Sequence, residues 1–333
     1  MTPANWLAKG EALLDQDRIK AATACLRRAV RLNPGDAYAR QVLGESYQRM
    51  GRLADAERAL RAALALGDNP QARLWLGETL ELDGRREEAD VLYREVERSE
   101  RASSEPGALR RRATALLYLR EARRSLPLFR RAVEASNDWS AHGRLAEALL
   151  CAGDAPAALK LMGRTIGRLE GKPRAQARAW RGLLRLWIGD YRGALSDLDA
   201  RARYAPCWRG AALLKLGRAR EAVRELNRSL TRDPWDREAL TWRGEARRIL
   251  GQPRLAIRDF DAALRMGRGN FWAAASRALA QRAAGDRRGF PTEVRRIFRV
   301  ANSPDAVEAR LRSARGVRRV ESYLFPVWRA FGR

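Results

Sequence analysis

Small and apolar residues return along this chain with a period of about 34 residues. In each period a helical stretch carries a small residue, a turn follows seven residues later, and a second stretch carries an alanine and then a bulky apolar residue. Alanine and leucine are abundant and runs of β-branched residues are scarce, so both stretches are predicted to be helices. The small residue of the first stretch is glycine in six periods: Gly10, Gly44, Gly77, Gly182, Gly210 and Gly244.

The other positions of the period keep the same register. The turn glycines are Gly51, Gly84, Gly153, Gly189, Gly217, Gly251 and Gly285. The alanines five residues after the turn are Ala56, Ala89, Ala158, Ala194, Ala222 and Ala256. The bulky residues four places further on are Leu60, Tyr93, Met162, Leu198, Leu226 and Phe260. Three periods are expected to end in a proline that stops the second helix, at Pro34, Pro206 and Pro234.

Glycine is a costly residue inside a helix, by about 1 kcal/mol relative to alanine. It nevertheless recurs, three times within a Trp-Arg-Gly triplet at 180–182, 208–210 and 242–244. We therefore expect that glycine or alanine on the first helix and alanine on the second let the two backbones approach closely. Burial and dispersion across that seam would offset the local cost.

This register resembles the tetratricopeptide repeat family over roughly residues 3–285. The first period carries the family's pattern at Trp6, Gly10, Ala22, Leu26, Ala29 and Pro34. The resemblance implies an all-α solenoid, in which pairs of antiparallel helices stack into a right-handed superhelix. It also implies a non-catalytic scaffold for protein interactions, because the first helices of such repeats line a concave surface along which ligand peptides lie.

The period divides the chain into eight repeats and a degenerate ninth that starts at residue 271. The expected bounds are 3–36, 37–69, 70–103, 106–138, 139–172, 175–202, 203–236 and 237–270. We group them into near-neutral repeats at 1–103, strongly basic repeats at 104–285, and a tail at 286–333. The tail does not fit the repeat; it either caps the last seam or docks another protein.

Two repeats depart from the pattern. The repeat at 106–138 has Ala113 in place of the helix glycine and Arg120 in place of the turn glycine, and it follows a loose polar stretch. The repeat at 175–202 is only about 28 residues long. Because Pro206 would close its second helix where the next first helix must already begin, that next helix is expected to be short.

The charge is large and unevenly distributed. The chain has 66 basic and 40 acidic residues, a formal net charge of +26, and only five of the basic residues are lysine. A coding bias towards arginine and alanine is one explanation. However, residues 1–100 carry 16 basic and 17 acidic residues, whereas residues 101–333 carry 50 and 23. A bias of that kind should not begin at residue 101.

The resemblance assigns candidate residues to the concave groove. In the first helices, the residue directly after the small residue is a candidate: Glu11, Glu45, Glu78, Glu147 and Glu245. The residue two positions before the same small residue is a second candidate: Trp75, Trp180, Trp208 and Trp242. Further candidates are Tyr38, Gln41, Gln71 and Leu74. The glutamates are either selective for a basic or amphipathic peptide or simply solvated. The tryptophans either anchor a peptide or pack between neighbouring first helices.

A second hypothesis from a different class is nucleic-acid or polyanion binding by residues 101–333. Clustered arginines can reach phosphates, and nearby tryptophans can stack on bases. The candidates are Arg110, Arg111, Arg112, Arg123, Arg124, Arg130, Arg131, Arg295, Arg296, Arg318 and Arg319. Against this hypothesis, most arginines alternate with acids on helix faces, and no pattern for reading bases is visible.

Other functions lack support in the sequence. The three cysteines are far apart and His142 is the only histidine, so neither a disulfide framework nor a metal site is expected. No phosphate-binding glycine loop or nucleophile motif occurs, and we predict neither enzymatic activity nor a cofactor. Without a signal peptide or an apolar run of membrane-spanning length, a soluble cytoplasmic protein is expected.

Overall fold

The computed structural model describes residues 1–16, 18–135, 138–199, 205–267 and 271–286. These residues form helices and short connections, with no strand among them. Contacts divide the chain into two compact units, an N-terminal unit of residues 1–103 and a C-terminal unit that begins at Ser104. The predicted tail lies almost entirely outside the described residues, as do Arg295, Arg296, Arg318 and Arg319.

The N-terminal unit contains three helix pairs. They are α1 (Pro3–Asp15) with α2 (Ile19–Leu32), α3 (Ala37–Arg49) with α4 (Leu53–Leu64), and α5 (Pro70–Leu82) with α6 (Arg86–Ser99). Each first helix packs most extensively against the second helix of its own pair, and α2 and α4 also pack against the first helix of the next pair. The first helices α1, α3 and α5 also contact their neighbours directly.

The C-terminal unit continues the same arrangement. Its helices are α7 (Pro106–Tyr118), α8 (Ala122–Glu134), α9 (Trp139–Cys151), α10 (Ala155–Gly167), α11 (Gly171–Trp187), α12 (Tyr191–Asp197), α13 (Ala205–Lys215), α14 (Ala219–Arg232), α15 (Arg237–Ile249), α16 (Pro253–Arg265) and α17 (Phe271–Ala283). Odd-numbered helices are the first helices of their repeats, and α7, α9, α11, α13 and α15 each pack on the even-numbered helix that follows, whereas α17 packs on α16. The predicted all-α solenoid of helix pairs is confirmed.

Most first helices begin with a polar cap. The side chains of Asp36, Asn69, Glu105 and Asp236 each accept a hydrogen bond from a backbone amide three residues later. These bonds satisfy amides that have no partner within the helix. Proline occupies the first turn of α1, α5, α7 and α16, where its missing N–H is no loss. Local sequence therefore sets where the helices start.

The turns between paired helices require a left-handed backbone. All seven predicted turn glycines have φ between 67° and 96°. In the repeat at 106–138 the same position is taken by Arg120, whose φ is 65° and which is the one non-glycine residue with positive φ among the described residues. The turn keeps its geometry even where the sequence has lost the residue that adopts it without strain.

The helix glycines have a more specific role than close backbone approach. A Cβ atom at Gly44 would lie 2.5 Å from Cγ of Leu60, and one at Gly77 would lie 2.4 Å from Cε1 of Tyr93. Gly210 faces Leu226 in the same way, 16 residues later in sequence. These bulky side chains are fully buried. Glycine therefore makes room for the large side chain of the second helix, a contact that was not predicted from the sequence.

The compressed repeat differs from the others in its second helix. Helix α12 has only 7 residues. The described part of α13 has 11 residues and begins directly after residues that lie outside the described ranges, so the expected short first helix stays a prediction. Pro206 does not close α12, because α12 ends at Asp197 and Pro206 is the second residue of α13. The expectation that Pro206 stops a helix was wrong. A proline is tolerated there because first-turn amides have no helical partner.

The core of the C-terminal unit is arranged in consecutive clusters. One cluster runs from Leu109 on α7 to Leu184 on α11, and a second runs from Leu183 on α11 to Trp272 on α17. The side chains of Trp180 and Trp187, both on α11, pack against both clusters. Helix α11 therefore belongs to both parts of the core.

Candidate functional site

Hydrogen bonds join the first helices of the N-terminal unit side to side. The hydroxyl of Tyr38 on α3 donates to Oε1 of Glu11 on α1, at 2.5 Å. Nε2 of Gln48 on α3 donates to Oγ1 of Thr79 on α5 at 3.1 Å and to the carbonyl oxygen of Trp75 at 3.4 Å. The surface of α1, α3 and α5 therefore brings Glu11 and Tyr38 together, two of the predicted groove residues.

Tyr38 lies in a negatively charged environment. The hydrogen bond to Glu11, partial burial, and the charges of Glu11, Glu45 and Asp36 raise the pKa of Tyr38 to about 12, in that order of importance. Half of the Tyr38 residue is exposed. An exposed aromatic ring surrounded by three carboxylates favours a cation over an anion at this position.

The other predicted groove residues of the N-terminal unit differ in exposure. Glu45 is half-buried and forms an ion pair with Arg49 at 2.7 Å. Glu78 is only 7% exposed, so the prediction of three equivalent exposed glutamates is corrected at this position. Gln41 is buried, and its Oε1 accepts a hydrogen bond from Nδ2 of Asn69 at 2.9 Å. Leu74 is also buried, whereas Gln71 and Trp75 are half-buried.

The glutamates of the C-terminal unit are not open to a ligand. Glu147 and Glu245 are both 0% exposed. Nη1 of Arg144 donates to Glu147 at 2.8 Å, and the guanidinium of Arg248 donates to both oxygens of Glu245 at 2.9 Å. These two carboxylates are held within the fold by arginines of their own helices, so their assignment to an open groove is corrected.

The tryptophans of the C-terminal unit pack between first helices, as one of the two alternatives had it. Nε1 of Trp180 on α11 donates to the carbonyl of Gly143 on α9 at 3.0 Å. The rings of Trp242 and Trp272 meet edge to face with centroids 4.4 Å apart, and Trp242 is 1% exposed. Trp208 is 7% exposed. Burial removes Trp208 and Trp242 from the accessible surface and corrects their assignment as groove residues.

Sequence reasoning missed a set of ion pairs inside the repeats. In each Trp-Arg-Gly triplet, the arginine reaches an acid 16 residues later, directly before the bulky residue of the second helix. Arg181 donates to both oxygens of Asp197 at 2.6 and 2.7 Å, and Arg243 donates to both oxygens of Asp259 at 2.7 and 3.0 Å. Arg209 lies 3.8 Å from Glu225. The spacing of arginine and acid was visible in the sequence.

These ion pairs connect the two helices of a repeat, and two of their carboxylates are buried. Asp197 and Asp259 are each 3% exposed. Asp259 also accepts from Arg247 at 2.7 Å, and Asp197 lies 2.9 Å from Arg185. The bond to Asp197 raises the pKa of Arg181. The arginine of the triplet therefore has a structural role, and part of the arginine content of the C-terminal unit serves the fold.

The seven described arginines among those proposed for polyanion binding fall into three groups. Arg124 forms an ion pair with Glu121, and Arg111 lies 3.9 Å from Glu105. Arg112 is half-buried. The exposed members are Arg110, Arg123, Arg130 and Arg131. Among these seven candidates, only the last group and the exposed Arg124 present their charge to the solvent.

The described residues contain little other chemistry. Cys25, Cys151 and Cys207 form no disulfide bond with one another. Within that part of the chain no three His, Cys, Asp or Glu residues gather as metal ligands would. No described helix combines the length and the apolar character needed to cross a bilayer.

Comparison with solved structures gave matches at low identity and low TM-score. MamA is 17% identical and matches with a TM-score of 0.40, over 47% of this chain and 94% of that chain. The TPR domain of P58(IPK) is 18% identical with a TM-score of 0.28, over 93% and 96%. YrrB, described as a TPR protein with an unusual peptide-binding site, is 17% identical with a TM-score of 0.38, over 52% and 91%. Comparison with curated proteins gave no match.

Family models cover most of the sequence. One tetratricopeptide repeat model matches residues 42–104, 110–173 and 209–271, and a second matches residues 3–46. The matched segments include well over half of the 333 residues. Residues 174–208, which lie between two matched segments, contain the short helix α12. The chain therefore belongs to the tetratricopeptide repeat family.

Proposed function

We propose that this protein is a non-catalytic interaction scaffold whose N-terminal unit binds a basic or amphipathic segment of a partner protein. The binding surface is the face of α1, α3 and α5 around Tyr38. Membership of a repeat family of interaction scaffolds supports the general role. The observation that carries the specific proposal is the exposed Tyr38 ring, bonded to Glu11 and close to Glu45 and Asp36.

The chemistry of this surface favours a lysine or arginine side chain. A cation above the Tyr38 ring would gain from the ring face and from the neighbouring carboxylates. Glu11 already accepts the Tyr38 hydroxyl and Glu45 already pairs with Arg49, so both carboxylates are held in place before a ligand arrives. Preorganised groups lose less conformational freedom on binding.

Affinity and selectivity should come from different residues. Exposed ion pairs contribute only about 0–1 kcal/mol each, so the carboxylates should mainly select against acidic segments. The half-buried Trp75 on α5 and the exposed Tyr38 on α3 offer the larger contact areas. Aromatic residues of this kind carry much of the energy of many interfaces.

The state of the three cysteines is consistent with the compartment proposed for this scaffold. Cys25, Cys151 and Cys207 form no disulfide. Thiols persist in reducing compartments, so we place the protein in the cytoplasm. Fractionation of cells that express the tagged full-length chain tests this placement.

The test uses the full-length chain and three sets of fluorescent peptides that are basic, neutral or acidic. We expect the basic set to bind and the acidic set not to bind. The double variant Glu11→Gln and Glu45→Gln should weaken binding of basic peptides, and Trp75→Ala should weaken it further. A matched control removes acids from the outer helix α6, as Glu87→Gln and Glu88→Gln. Equal loss in the control, or equal binding of acidic peptides, would contradict the proposed site.

A further inference from the structure

The outer faces of α8 and α10 carry basic side chains without partners. Arg123, Arg130 and Arg131 on α8 are exposed, as are Lys160 and Arg164 on α10. None of these five side chains forms an ion pair or a hydrogen bond with another described residue. The opposite faces of both helices are buried through residues such as Phe129 and Met162, so the basic side chains lie on the side away from the core.

Acidic residues are almost absent from these two helices. Helix α10 contains neither aspartate nor glutamate, and α8 contains only Glu134, near its end. On two other second helices several arginines have acidic partners. On α14, Glu221 pairs with Arg218 and Glu225 with Arg228, and on α4, Glu57 pairs with Arg61. Helices α8 and α10 therefore differ from α4 and α14 in this respect, although α2 also lacks acidic residues and has exposed Arg27, Arg28 and Arg31.

The two helices lie in neighbouring repeats of one compact unit. Both α8 and α10 pack against α9. Along α8, Arg123 and Arg130 are seven residues apart, which is about 10 Å of helix. Along α10, Lys160 and Arg164 are four residues apart, about 6 Å. The charges therefore form an extended surface along the helices, suited to a ligand that carries many negative charges in series.

The same surface lacks the apolar groups that other anionic partners would need. Among the described residues, no large hydrophobic side chain on α8 or α10 is exposed. Membrane-surface helices insert leucine, tryptophan or phenylalanine beside their basic face. Protein interfaces usually contain an apolar or aromatic centre. Phosphate chains need neither, because charge and hydrogen bonding to phosphate supply most of the non-specific affinity.

We propose that the outer faces of α8 and α10 form a surface that binds the phosphate backbone of a nucleic acid. Four of the five side chains are arginines, and a guanidinium donates two parallel hydrogen bonds to a phosphate group. The surface contains no aromatic or amide side chain for reading bases, so binding is independent of sequence. This function is separate from the peptide site of the N-terminal unit.

The test measures binding of a fluorescent single-stranded RNA of about 20 nucleotides to the full-length chain over a range of salt concentrations. Each phosphate contact contributes about −0.7 to the slope of log affinity against log salt. The triple variant Arg123→Gln, Arg130→Gln and Arg164→Gln should therefore reduce the slope by about 2. Affinity at low salt should fall at least about tenfold, and replacement by lysine at the same positions should keep most of the slope.

The matched control removes the same charge from arginines that have acidic partners. The variant Arg218→Gln, Arg224→Gln and Arg228→Gln should leave the slope nearly unchanged. Equal loss in both variants would mean that net charge alone attracts RNA, and absence of RNA binding at low salt would overturn the proposal outright.

If polyglutamate or anionic lipid vesicles compete as well as RNA at equal charge, phosphate-backbone recognition is also overturned. Circular dichroism checks the fold of each variant, and Arg131→Gln with Lys160→Gln is a second pair for the same measurement.

Discussion

Arg243 on α15 binds both carboxylate oxygens of Asp259 on α16, at 3.0 and 2.7 Å, and so connects the two helices of one repeat. Asp259 is nearly buried and also accepts from Arg247. Removing one partner of a buried pair leaves charge without compensation, which usually costs 3–5 kcal/mol. The pair therefore holds the repeat in register, although replacing it as a whole with apolar residues need not destabilise the protein.

We expect Asp259→Ala to lower the free energy of unfolding of this part of the chain by about 3 kcal/mol, because Arg243 and Arg247 lose the carboxylate with which both are paired. Denaturant unfolding followed by circular dichroism measures the change. The comparison is Glu221→Ala on α14, whose ion pairs are exposed and should be worth less than about 1 kcal/mol. Equal effects of the two substitutions would show that the Asp259 pair is no stronger than a surface pair.

Replacing Arg120 with glycine, the residue that the other repeats have at this turn, should stabilise the protein. Because its φ is 65°, Arg120→Gly removes left-handed strain and should raise the free energy of unfolding by about 1 kcal/mol. The reverse change at an equivalent turn, Gly217→Ala, should lower it by about the same amount. Urea midpoints of the two variants and the parent protein provide the measurement. A destabilised Arg120→Gly protein would mean that the Arg120 side chain contributes more than its backbone costs.

Gly44 should not tolerate even a methyl group. A Cβ at this position would lie 2.5 Å from Cγ of Leu60, so Gly44→Ala should destabilise the protein by about 1–3 kcal/mol. Gly67→Ala is the control, because no atom lies within 4 Å of its added Cβ. The double variant Gly44→Ala and Leu60→Ala tests the cause. If the two effects simply add, the destabilisation does not arise from this contact.

Tyr38 should ionise at unusually high pH. Its pKa is raised to about 12, chiefly by the hydrogen bond to Glu11. The folded protein therefore holds this proton more tightly than the unfolded chain does between pH 10 and 12. The resulting contribution to stability is complete below about pH 10 and is lost as the pH rises towards 12.

An ultraviolet titration of tyrosinate in the parent protein and in Tyr38→Phe isolates this residue among the seven tyrosines. Glu11→Gln should move the Tyr38 pKa back towards 10, since the charged acceptor is lost. A Tyr38 pKa unaffected by Glu11→Gln would show that the hydrogen bond is not its main cause.

Helical repeats could be predicted from the sequence because several positions recur in register. The turn glycines, the helix glycines and residues such as Leu60 and Tyr93 each impose a local requirement, and those requirements agree with one another. Even Arg120 was placed correctly in a turn by its position in the period. The error at Pro206 arose because a proline is compatible both with the end of one helix and with the first turn of the next.

Exposure of the candidate site was harder to predict. Glu78, Glu147 and Glu245 occupy the same repeat position as Glu11, yet neighbouring side chains bury them to different extents. The buried Trp242 and the exposed Tyr38 likewise depend on which residue the adjacent first helix supplies. Such contacts join residues about 27–37 positions apart in sequence, so a period alone does not determine them.

The short helix α12 has a consequence for how the C-terminal unit unfolds. In a repeat array each repeat contacts only its neighbours, so each interface between repeats contributes its own coupling energy to stability. A second helix of 7 residues offers less interface than the 12 to 14 residues found in most other repeats. Helix α11, which belongs to both core clusters, then becomes the boundary between two cooperative segments. We expect amide hydrogens of α12 to exchange with solvent earlier than those of α9 or α15, since separation of the array into independently unfolding blocks costs least at this interface.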